Sequence, residues 1–432
     1  MSADPLDQAE AELAQGDPHR AFAALRPLLF DEALAGEDTR FVDVLELFAR
    51  VGAALTGEEF GAKVRAAAEY PDDIQALYDL GYELIEQGLP AAAATVLTRA
   101  NRLAPGQEWI VTELVAALER DMRYVEARAV LLGERDLLLE SFLCSYLLAF
   151  NSLMSGDLTG ARDAVETLRP GPEPSEQAMA ARISRMVARC EAVAGLSPLD
   201  ERDLRGWHLG LNGGLLLYRS PYGEESMSGR YAFVQDNEGL CAAGVRLAEA
   251  ALAALGQRPP RVFAPADRDS AILAHAAATM LSLPLAAWPP EGSAEPGLIV
   301  VYDLDNLDGE TLATLLERRP GQVLWVHAAC WTHDLPIAGD LTTFLYQYCH
   351  TPWGERQVGF DPERDETITK AADTAPVEQI AARVVAATPD PQAMAEREAL
   401  VALVRRVAPL LPQEGQRERQ WAGSPVPSAL FC

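Results

Sequence analysis

Histidine and cysteine residues that could do chemistry are concentrated in one stretch of the second half of the sequence. His327, Cys330 and His333 are spaced three residues apart, and Cys349 and His350 follow downstream. Imidazole and thiolate groups bind zinc, but a zinc site needs about four ligands within tetrahedral reach. A thiol beside an imidazole can also be a nucleophile with its base. Because the spacing differs from the common zinc motifs, we interpret these residues as buried structural groups, with the zinc site and the nucleophile pair as alternatives.

Charged residues that could hold a small ligand follow two predicted strands. Asp303 and Asp305 follow the apolar run GLIVVY, and Arg268 follows RVFAPAD. Alpha/beta proteins place ligands at the carboxyl ends of their strands, where His327 is also expected. We therefore predict a candidate ligand pocket formed by Arg268, Asp303, Asp305 and His327, and we expect no catalytic residue, no metal and no cofactor there.

The order of these segments resembles the core of the type I phosphoribosyltransferases. In that family a first loop holds pyrophosphate, and a strand that ends in two acids leads into a Thr/Gly-rich loop around the 5-phosphate. Asp303 fits the first acid, but Leu304 replaces the second, and Asp308 brings negative charge to the expected phosphate position. The resemblance implies a phosphoribosyltransferase-like fold whose two phosphate-binding loops have eroded.

The stretch WTHDLPIAGDLTTFLY, which begins at Trp331, resembles part of a caspase-like domain. That resemblance implies a Cys/His nucleophile pair. In the caspase-like family the His precedes the Cys by a strand and a loop, whereas His327 and Cys330 are close neighbours here. The nucleophile pair therefore stays an alternative that depends on residue types alone.

Short strands that alternate with helices must position all of these groups. WHLGLNGGLLLYRS, RVFAPAD, LPLAAW, GLIVVYD and QVLWVHAA are β-rich or apolar runs, and helical patterns lie at Asn237–Leu255, Ser270–Leu281 and Gly309–Arg318. This alternation predicts an α/β domain with a mainly parallel sheet over residues 205–411. Its last helices are expected at about Ala375–Ala387 and Gln392–Leu411. We interpret Arg219–Tyr231 as a solvent-facing loop, with a lid over the sheet edge as the alternative, and residues 412–432 as a flexible tail.

The first 196 residues carry a repeated helical pattern that is clearest in Ile74–Pro105. Ala93 recurs as Ala127 and Ala161, and Leu97 recurs as Leu131 and Val165, at a period of about 34 residues. Small residues such as Gly81 would let paired helices approach closely. The pattern resembles the tetratricopeptide repeat. This resemblance implies an array of stacked helix pairs over residues 1–196, so the predicted fold class is α plus α/β.

The tetratricopeptide resemblance also implies a concave groove that is lined by the first helix of each pair. The groove residues carried over from the family pattern are mostly aromatic: Tyr78, Tyr82, Trp109, Arg120, Tyr146 and Phe150. Aromatic walls are common in recognition sites. We predict that a protein or peptide partner binds in this groove, with packing against the chain's own C-terminal domain as an equal alternative.

Composition limits the range of partners. The formal net charge is −28 over 432 residues, and the first 200 residues contain 34 acids and 17 bases. Such a balance argues against binding to nucleic acid or to an anionic membrane. The six cysteines are scattered, and we find no signal peptide and no apolar run near the length of a membrane span.

These observations together predict a cytoplasmic, bacterial protein, since its Ala- and Arg-rich composition is typical of a GC-rich genome. We predict a non-enzymatic interaction or adaptor protein. The alternative is an enzyme or binding protein that handles a nucleotide or phosphoribosyl substrate at the carboxyl edge of the sheet. The oligomeric state stays open.

Overall fold

Helices alone form the first of two units into which the chain divides, Met1–Ser184 and Arg185–Cys432. The computed structural model describes residues 4–219, 230–361 and 366–427. The helices of the first unit are α1 (Pro5–Ala14), α2 (Pro18–Leu29), α3 (Asp38–Thr56), α4 (Glu58–Glu69), α5 (Ile74–Glu86), α6 (Pro90–Leu103), α7 (Glu108–Arg120), α8 (Tyr124–Gly133), α9 (Arg135–Glu140), α10 (Phe142–Met154) and α11 (Leu158–Thr167). Helix α12 (Pro174–Ala194) runs past the division.

Consecutive helices of the first unit pack in pairs, with α5 on α6, α7 on α8 and α10 on α11. Helix α5 begins where the Asp73 carboxylate accepts hydrogen bonds from the amides of Gln75 and Ala76. The predicted close approach is confirmed at Gly81, where an added Cβ would lie 2.5 Å from Cγ of Leu97. The apolar stripes of both helices are buried, so this unit has its own helical core.

A parallel sheet forms the centre of the second unit, which confirms the predicted α plus α/β fold class. Its strands lie in the order β1 (Leu215–Leu216), β8 (Leu341–His350), β7 (Gln322–Cys330), β5 (Gly297–Asp303), β3 (Val262–Ala264), β4 (Leu285–Ala287), and β2 (Tyr231–Gln235) also pairs with β8. Every pair in this sheet is parallel. Strands β5 and β7 are buried along their whole length, as their continuous apolar sequences require.

Helices and small strands complete the second unit. The helices are α13 (Leu204–Asn212), α14 (Glu238–Ala254), α15 (Arg268–Leu281), α16 (Gly309–Leu315), α17 (Val377–Ala386), α18 (Pro391–Ala395) and α19 (Arg397–Val407). Strand β6 (Glu317–Arg318) pairs with β11 (Gly415–Gln416), and β9 (Arg356–Asp361) pairs with β10 (Glu366–Lys370). Helix α14 packs on α17, α18 and α19, and α15 packs on α17.

The run WHLGLNGGLLLYRS differs from its β-rich prediction. Its first part lies in α13, because Asp203 accepts a hydrogen bond from the amide of Gly206 and so caps the helix. Gly213 has φ 72°, a left-handed conformation that ends the helix before β1. The cap and the terminating glycine therefore outweigh the β-forming composition between them.

The segment after α19 differs from the predicted flexible tail as far as residue 427. Gln420 pairs with Leu335, and the amide of Gly423 donates to the carbonyl of Trp331 at 2.9 Å. The side chain of Arg417 is buried against Asp340 at 2.9 Å. A buried charge pair of this kind fixes the segment in place. Residues 428–432 of the tail, and residues 220–229 of the loop interpreted as solvent-facing, lie outside the described residues.

Candidate functional sites

An exposed aromatic cluster lies on α5 and α7 of the first unit. The rings of Tyr78 and Trp109 meet edge to face, with centroids 4.6 Å apart and an interplanar angle of 72°. Tyr82 and Trp109 are 50% and 39% exposed, although both are large aromatic residues. We name Tyr78, Tyr82, Trp109 and the adjoining Glu113 the aromatic patch. It combines three of the six predicted groove residues at one solvent-facing place.

Carboxylates surround the aromatic patch. Burial is the main cause that raises the pKa of Tyr78. The negative charge of Glu113 and the hydrogen bond from the Tyr78 hydroxyl to that carboxylate raise it as well. Burial also raises the pKa of Glu113, against the opposing charge of Arg120. Glu86 lies 3.7 Å from the Arg120 guanidinium, which is half exposed. The patch therefore joins apolar surface to a carboxylate that is poorly solvated when charged.

The predicted groove residues on α10 are in a different environment from those on α5 and α7. Tyr146 and Phe150 are 7% and 6% exposed. Phe150 packs edge to face on Tyr124 at 6.4 Å, and Tyr146 lies 6.3 Å from Phe142, measured between ring centroids. These rings belong to the buried part of the protein, so the predicted aromatic wall is solvent-facing only near α5 and α7.

A second group of candidate functional side chains lies around the carboxyl ends of β5 and β7, beside the middle of β8. We name Asp303, Asp305, Cys330, His333 and Tyr346 the edge cluster. The Tyr346 hydroxyl donates to Oδ2 of Asp303, and the amide of Asp305 donates to its Oδ1 at 3.0 Å. His333 Nδ1 lies 3.1 Å from Oδ2 of Asp305. The ends of β5 and β7 and the residues just after them thus bring a thiol, an imidazole and two carboxylates together, and β8 contributes the Tyr346 hydroxyl.

Burial raises the pKa of Asp303 and of Cys330 in the edge cluster. Loss of solvent raises the pKa of Asp303 to about 7, although the hydrogen bond from Tyr346 acts in the opposite direction. Burial also raises the pKa of the Cys330 thiol. Asp303 is therefore partly protonated near neutral pH, and the thiol of Cys330 stays largely protonated unless a positive charge lies beside it.

The other two residues of the predicted ligand pocket lie elsewhere. Arg268 donates to the carbonyls of Asp373 and Ala375, at 2.7 and 3.0 Å. His327 is fully buried, with Nε2 3.0 Å from Oδ2 of Asp236. Side chains of a strand alternate between its two faces, so His327 and Cys330, three residues apart on β7, point to opposite faces. The structure therefore brings together Asp303 and Asp305, but neither Arg268 nor His327 with them.

His327 belongs to a buried hydrogen-bonded group that we name the core network: Asp236, Cys241, Tyr302 and His327. Oδ2 of Asp236 accepts hydrogen bonds from the Tyr302 hydroxyl at 2.7 Å and from the Cys241 thiol at 3.3 Å. Burial raises the pKa of Cys241 and of Tyr302 well above their ordinary values. Both groups therefore keep their protons and serve as donors to the carboxylate.

The loop after β5 does not have the arrangement of a phosphate cradle. The Asp308 carboxylate accepts a hydrogen bond from the amide of Thr311 at 2.7 Å, at the start of α16. This contact with the Thr311 amide lowers the pKa of Asp308. The Asp308 carboxylate therefore already accepts the amide hydrogen bond that a phosphate would need. His327 and Cys330 point to opposite faces of β7, so the structure does not bring them together as a nucleophile pair.

Sequence reasoning missed Glu113, and it missed Tyr346 because β8 was not recognised as a strand. The run LTTFLYQYCH is rich in β-branched and aromatic residues, which are typical of strands. Recognising it would have placed Tyr346 near the carboxyl ends of β5 and β7. Glu113 could have been found from helix spacing, because it lies four residues after Trp109 and so on the same face of α7.

Comparison with known proteins leaves the chain without a family assignment. No protein-family model matches the sequence, and no curated protein matches it either. Among the described residues, the helices are all too short or too polar to cross a membrane.

Proposed function

We propose that this protein is a non-enzymatic adaptor whose tetratricopeptide-like repeats bind a positively charged peptide segment of a partner protein at the aromatic patch. The observation that carries this proposal is the exposed Trp109 ring, which packs edge to face on the partly buried Tyr78 ring beside the Glu113 carboxylate. The acidic composition and scattered cysteines support a cytoplasmic partner.

The exposed rings provide the apolar part of the proposed binding site. Tyr82 and Trp109 keep large aromatic surfaces in contact with water, which is unfavourable unless a ligand covers them. Buried aromatic anchors supply much of the binding free energy in protein interfaces. The face of a Trp ring also attracts a Lys or Arg side chain. An apolar side chain next to a cationic one would satisfy both features of this surface.

Charge selects a basic partner over an acidic one. Asp79 and Glu86 lie close to the patch and add to the charge of Glu113 within it, and Arg120 is already 3.7 Å from Glu86. A cation from the ligand would compensate the desolvated carboxylate of Glu113, for which burial raises the pKa. An acidic peptide would instead meet several like charges, and like-charge contacts in an interface cost several kcal/mol.

A peptide selection tests the proposal. We expect that peptides selected from a random displayed library against the full chain contain Arg or Lys beside an aromatic or aliphatic residue. Trp109→Ala should weaken their binding by more than about 2 kcal/mol, or roughly thirtyfold in Kd by calorimetry, because it removes the central anchor. Tyr82→Ala should weaken it less.

The matched control is Tyr70→Ala, which removes an aromatic ring that is 61% exposed and lies outside the patch. Its affinity for the selected peptides should equal that of the unchanged protein. Selected peptides that are acidic, or that bind Trp109→Ala as tightly as the unchanged protein, would contradict the proposal.

Peptide binding should also depend on pH through Glu113. Because burial raises the pKa of Glu113 above its ordinary value, this carboxylate gains its proton at a higher pH than exposed glutamates do. We expect that affinity for a Lys- or Arg-bearing peptide is highest at neutral pH and falls as pH decreases through this raised pKa. Calorimetric titrations from pH 7.5 to about 5 measure the fall.

Glu113→Gln is the control for this pH dependence. It keeps the shape of the side chain and a hydrogen-bonding group for Tyr78, but it cannot titrate. The variant should bind the peptide more weakly at neutral pH and show a nearly flat profile. A profile as steep as that of the unchanged protein would assign the titration to another group.

A further inference from the structure

Three side chains with different zinc-binding chemistry meet in the edge cluster of the second unit. Asp305, Cys330 and His333 each present one ligand atom, and these atoms all lie within 4.8 Å of one another. Oδ2 of Asp305 and Nδ1 of His333 are 3.1 Å apart. Zinc bonds of about 2.0–2.3 Å place tetrahedral ligands roughly 3.3–3.6 Å from each other. Small side-chain rotations would therefore seat an ion between the three groups.

We propose that Asp305, Cys330 and His333 bind a zinc ion and leave a fourth coordination position open to solvent. The set of one thiolate, one imidazole and one carboxylate suits zinc, whereas Mg²⁺ and Ca²⁺ prefer oxygen ligands. The His333 side chain is 61% exposed and that of Asp305 is 29% exposed, so an ion can reach them from solvent. Cys330 is buried below them and would be the innermost ligand.

Polar groups around the three ligands are placed to orient them. The Tyr346 hydroxyl donates to Asp303 and lies 3.5 Å from Oδ2 of Asp305. The Thr332 hydroxyl lies 3.2 Å from Sγ of Cys330. Outer hydrogen bonds of this kind hold metal ligands in position and tune their basicity.

The core network also joins an Asp, a Cys and a His, but it differs in the features that matter for binding an ion. Asp236, Cys241 and His327 are each 0% exposed. Oδ2 of Asp236 already accepts hydrogen bonds from Cys241, His327 and Tyr302. An ion would have to enter the hydrophobic core and displace these bonds. The core network is therefore an internal control for the proposed site.

Zinc binding can be measured on the full chain after treatment with a chelator. We expect calorimetric titration with Zn²⁺ to give one ion per chain and a rise in Tm, with no effect of Mg²⁺. Co²⁺ should give the absorption of a tetrahedral site together with a thiolate-to-cobalt charge-transfer band, which reports the cysteine ligand directly. Absence of a stoichiometric site, or a Co²⁺ spectrum without the thiolate band, would overturn the proposal.

Variants locate the ion. His333→Ala is the decisive change, because its exposed side chain can be removed without disturbing the fold, and Zn²⁺ affinity should fall by more than about a hundredfold. Cys330→Ser should lose the thiolate band. Tyr346→Phe should weaken binding by about 10–100-fold, as outer-partner changes do.

Two control variants should bind Zn²⁺ like the unchanged protein. Cys241→Ser alters the core network, and His275→Ala removes a histidine on α15. Zn²⁺ binding that survives His333→Ala would show adventitious surface binding. Binding that is lost in Cys241→Ser and kept in Cys330→Ser would move the ion to the core network. Either result overturns the proposal.

Discussion

Asp340→Asn is expected to destabilise the protein by about 3–5 kcal/mol, because it leaves two buried guanidinium groups without their counter-charge. Nη2 of Arg417 lies 2.9 Å from one Asp340 oxygen, and Nε of Arg318 lies 3.0 Å from the other. The same carboxylate accepts a hydrogen bond from the amide of Leu324 at 2.8 Å. The Arg417 and Arg318 side chains are 1% and 6% exposed, so water cannot replace the lost charge.

Chemical denaturation measures this loss, and Asp334→Asn is its matched control. Asp334 pairs with Arg419 at 3.1 Å, but both side chains are 40% exposed. Exposed pairs contribute little, so the control should stay within about 0.5 kcal/mol of the unchanged protein. If Asp340→Asn also stays within that range, the buried pair does not stabilise the fold.

The sign of the pH dependence follows from the pKa of Asp340. Burial raises this pKa, but the charges of Arg417 and Arg318 lower it by more than burial raises it. The net shift is therefore downward. A lowered folded-state pKa gives stability that is present above the unfolded value of about 3.9 and is lost as pH falls through the folded value. The difference between Asp340→Asn and the unchanged protein should therefore persist at neutral pH and shrink below about pH 4.

The same three residues show why the C-terminal segment could not be predicted from sequence. Arg417 lies in QEGQRERQW, a polar run that is typical of a solvated tail. Its partner Asp340 is 77 residues away, and Arg318 is a further 22 residues from Asp340. Pairing at such separations is set by the order of strands in the sheet, which local patterns do not determine. Composition alone therefore predicted flexibility where a buried charge pair gives order.

The edge cluster could be predicted only in part, for a related reason. The acids at the end of GLIVVYD and just after it, and the thiol after QVLWVHAA, were recognised as groups at strand ends, and the structure places them at the ends of the neighbouring strands β5 and β7. Which of them meet depends on the face of each strand. The close spacing of His327, Cys330 and His333 suggested a single site. Because side chains alternate along β7, His327 instead belongs to the core network and Cys330 to the edge cluster.

Helix pairs of the first unit were predictable because their determinants are local. The spacing of Leu77, Leu80 and Leu84 gives one buried stripe, and all three side chains are 0% exposed. Exposure of the predicted groove residues was harder to predict, since it depends on what covers each helix. Tyr82 is half exposed, whereas Phe150, at a corresponding repeat position, is buried. Periodicity predicts which face a residue is on, but not whether that face is covered.

The helix pairing itself can be tested by changing Gly81 and Leu97 together. A Cβ at position 81 would lie 2.5 Å from Cγ of Leu97, so Gly81→Ala should overpack the interface and cost about 1–3 kcal/mol. Leu97 is 0% exposed, and Leu97→Ala should cost about 2–5 kcal/mol through the cavity it leaves. In the double variant the methyl group that Gly81→Ala adds occupies part of the cavity that Leu97→Ala leaves. The clash with the Leu97 side chain is absent, because that side chain has been removed. Its cost, measured by denaturation, should be lower than the sum of the single costs by about 0.5–3 kcal/mol.

Gly133→Ala separates this packing effect from helix propensity. Gly133 is the last residue of α8, and an added Cβ there has no neighbour within 4 Å. Alanine stabilises a helix relative to glycine by roughly 0.5–1 kcal/mol, so this control should be neutral or slightly more stable. If Gly81→Ala behaves like Gly133→Ala, or if the two costs at Gly81 and Leu97 simply add, then α5 and α6 do not approach as closely as the repeat pattern requires. A coupling of the expected sign would show that packing against Leu97 of α6 requires a small residue at position 81. The helix propensity of α5 would not explain such a coupling.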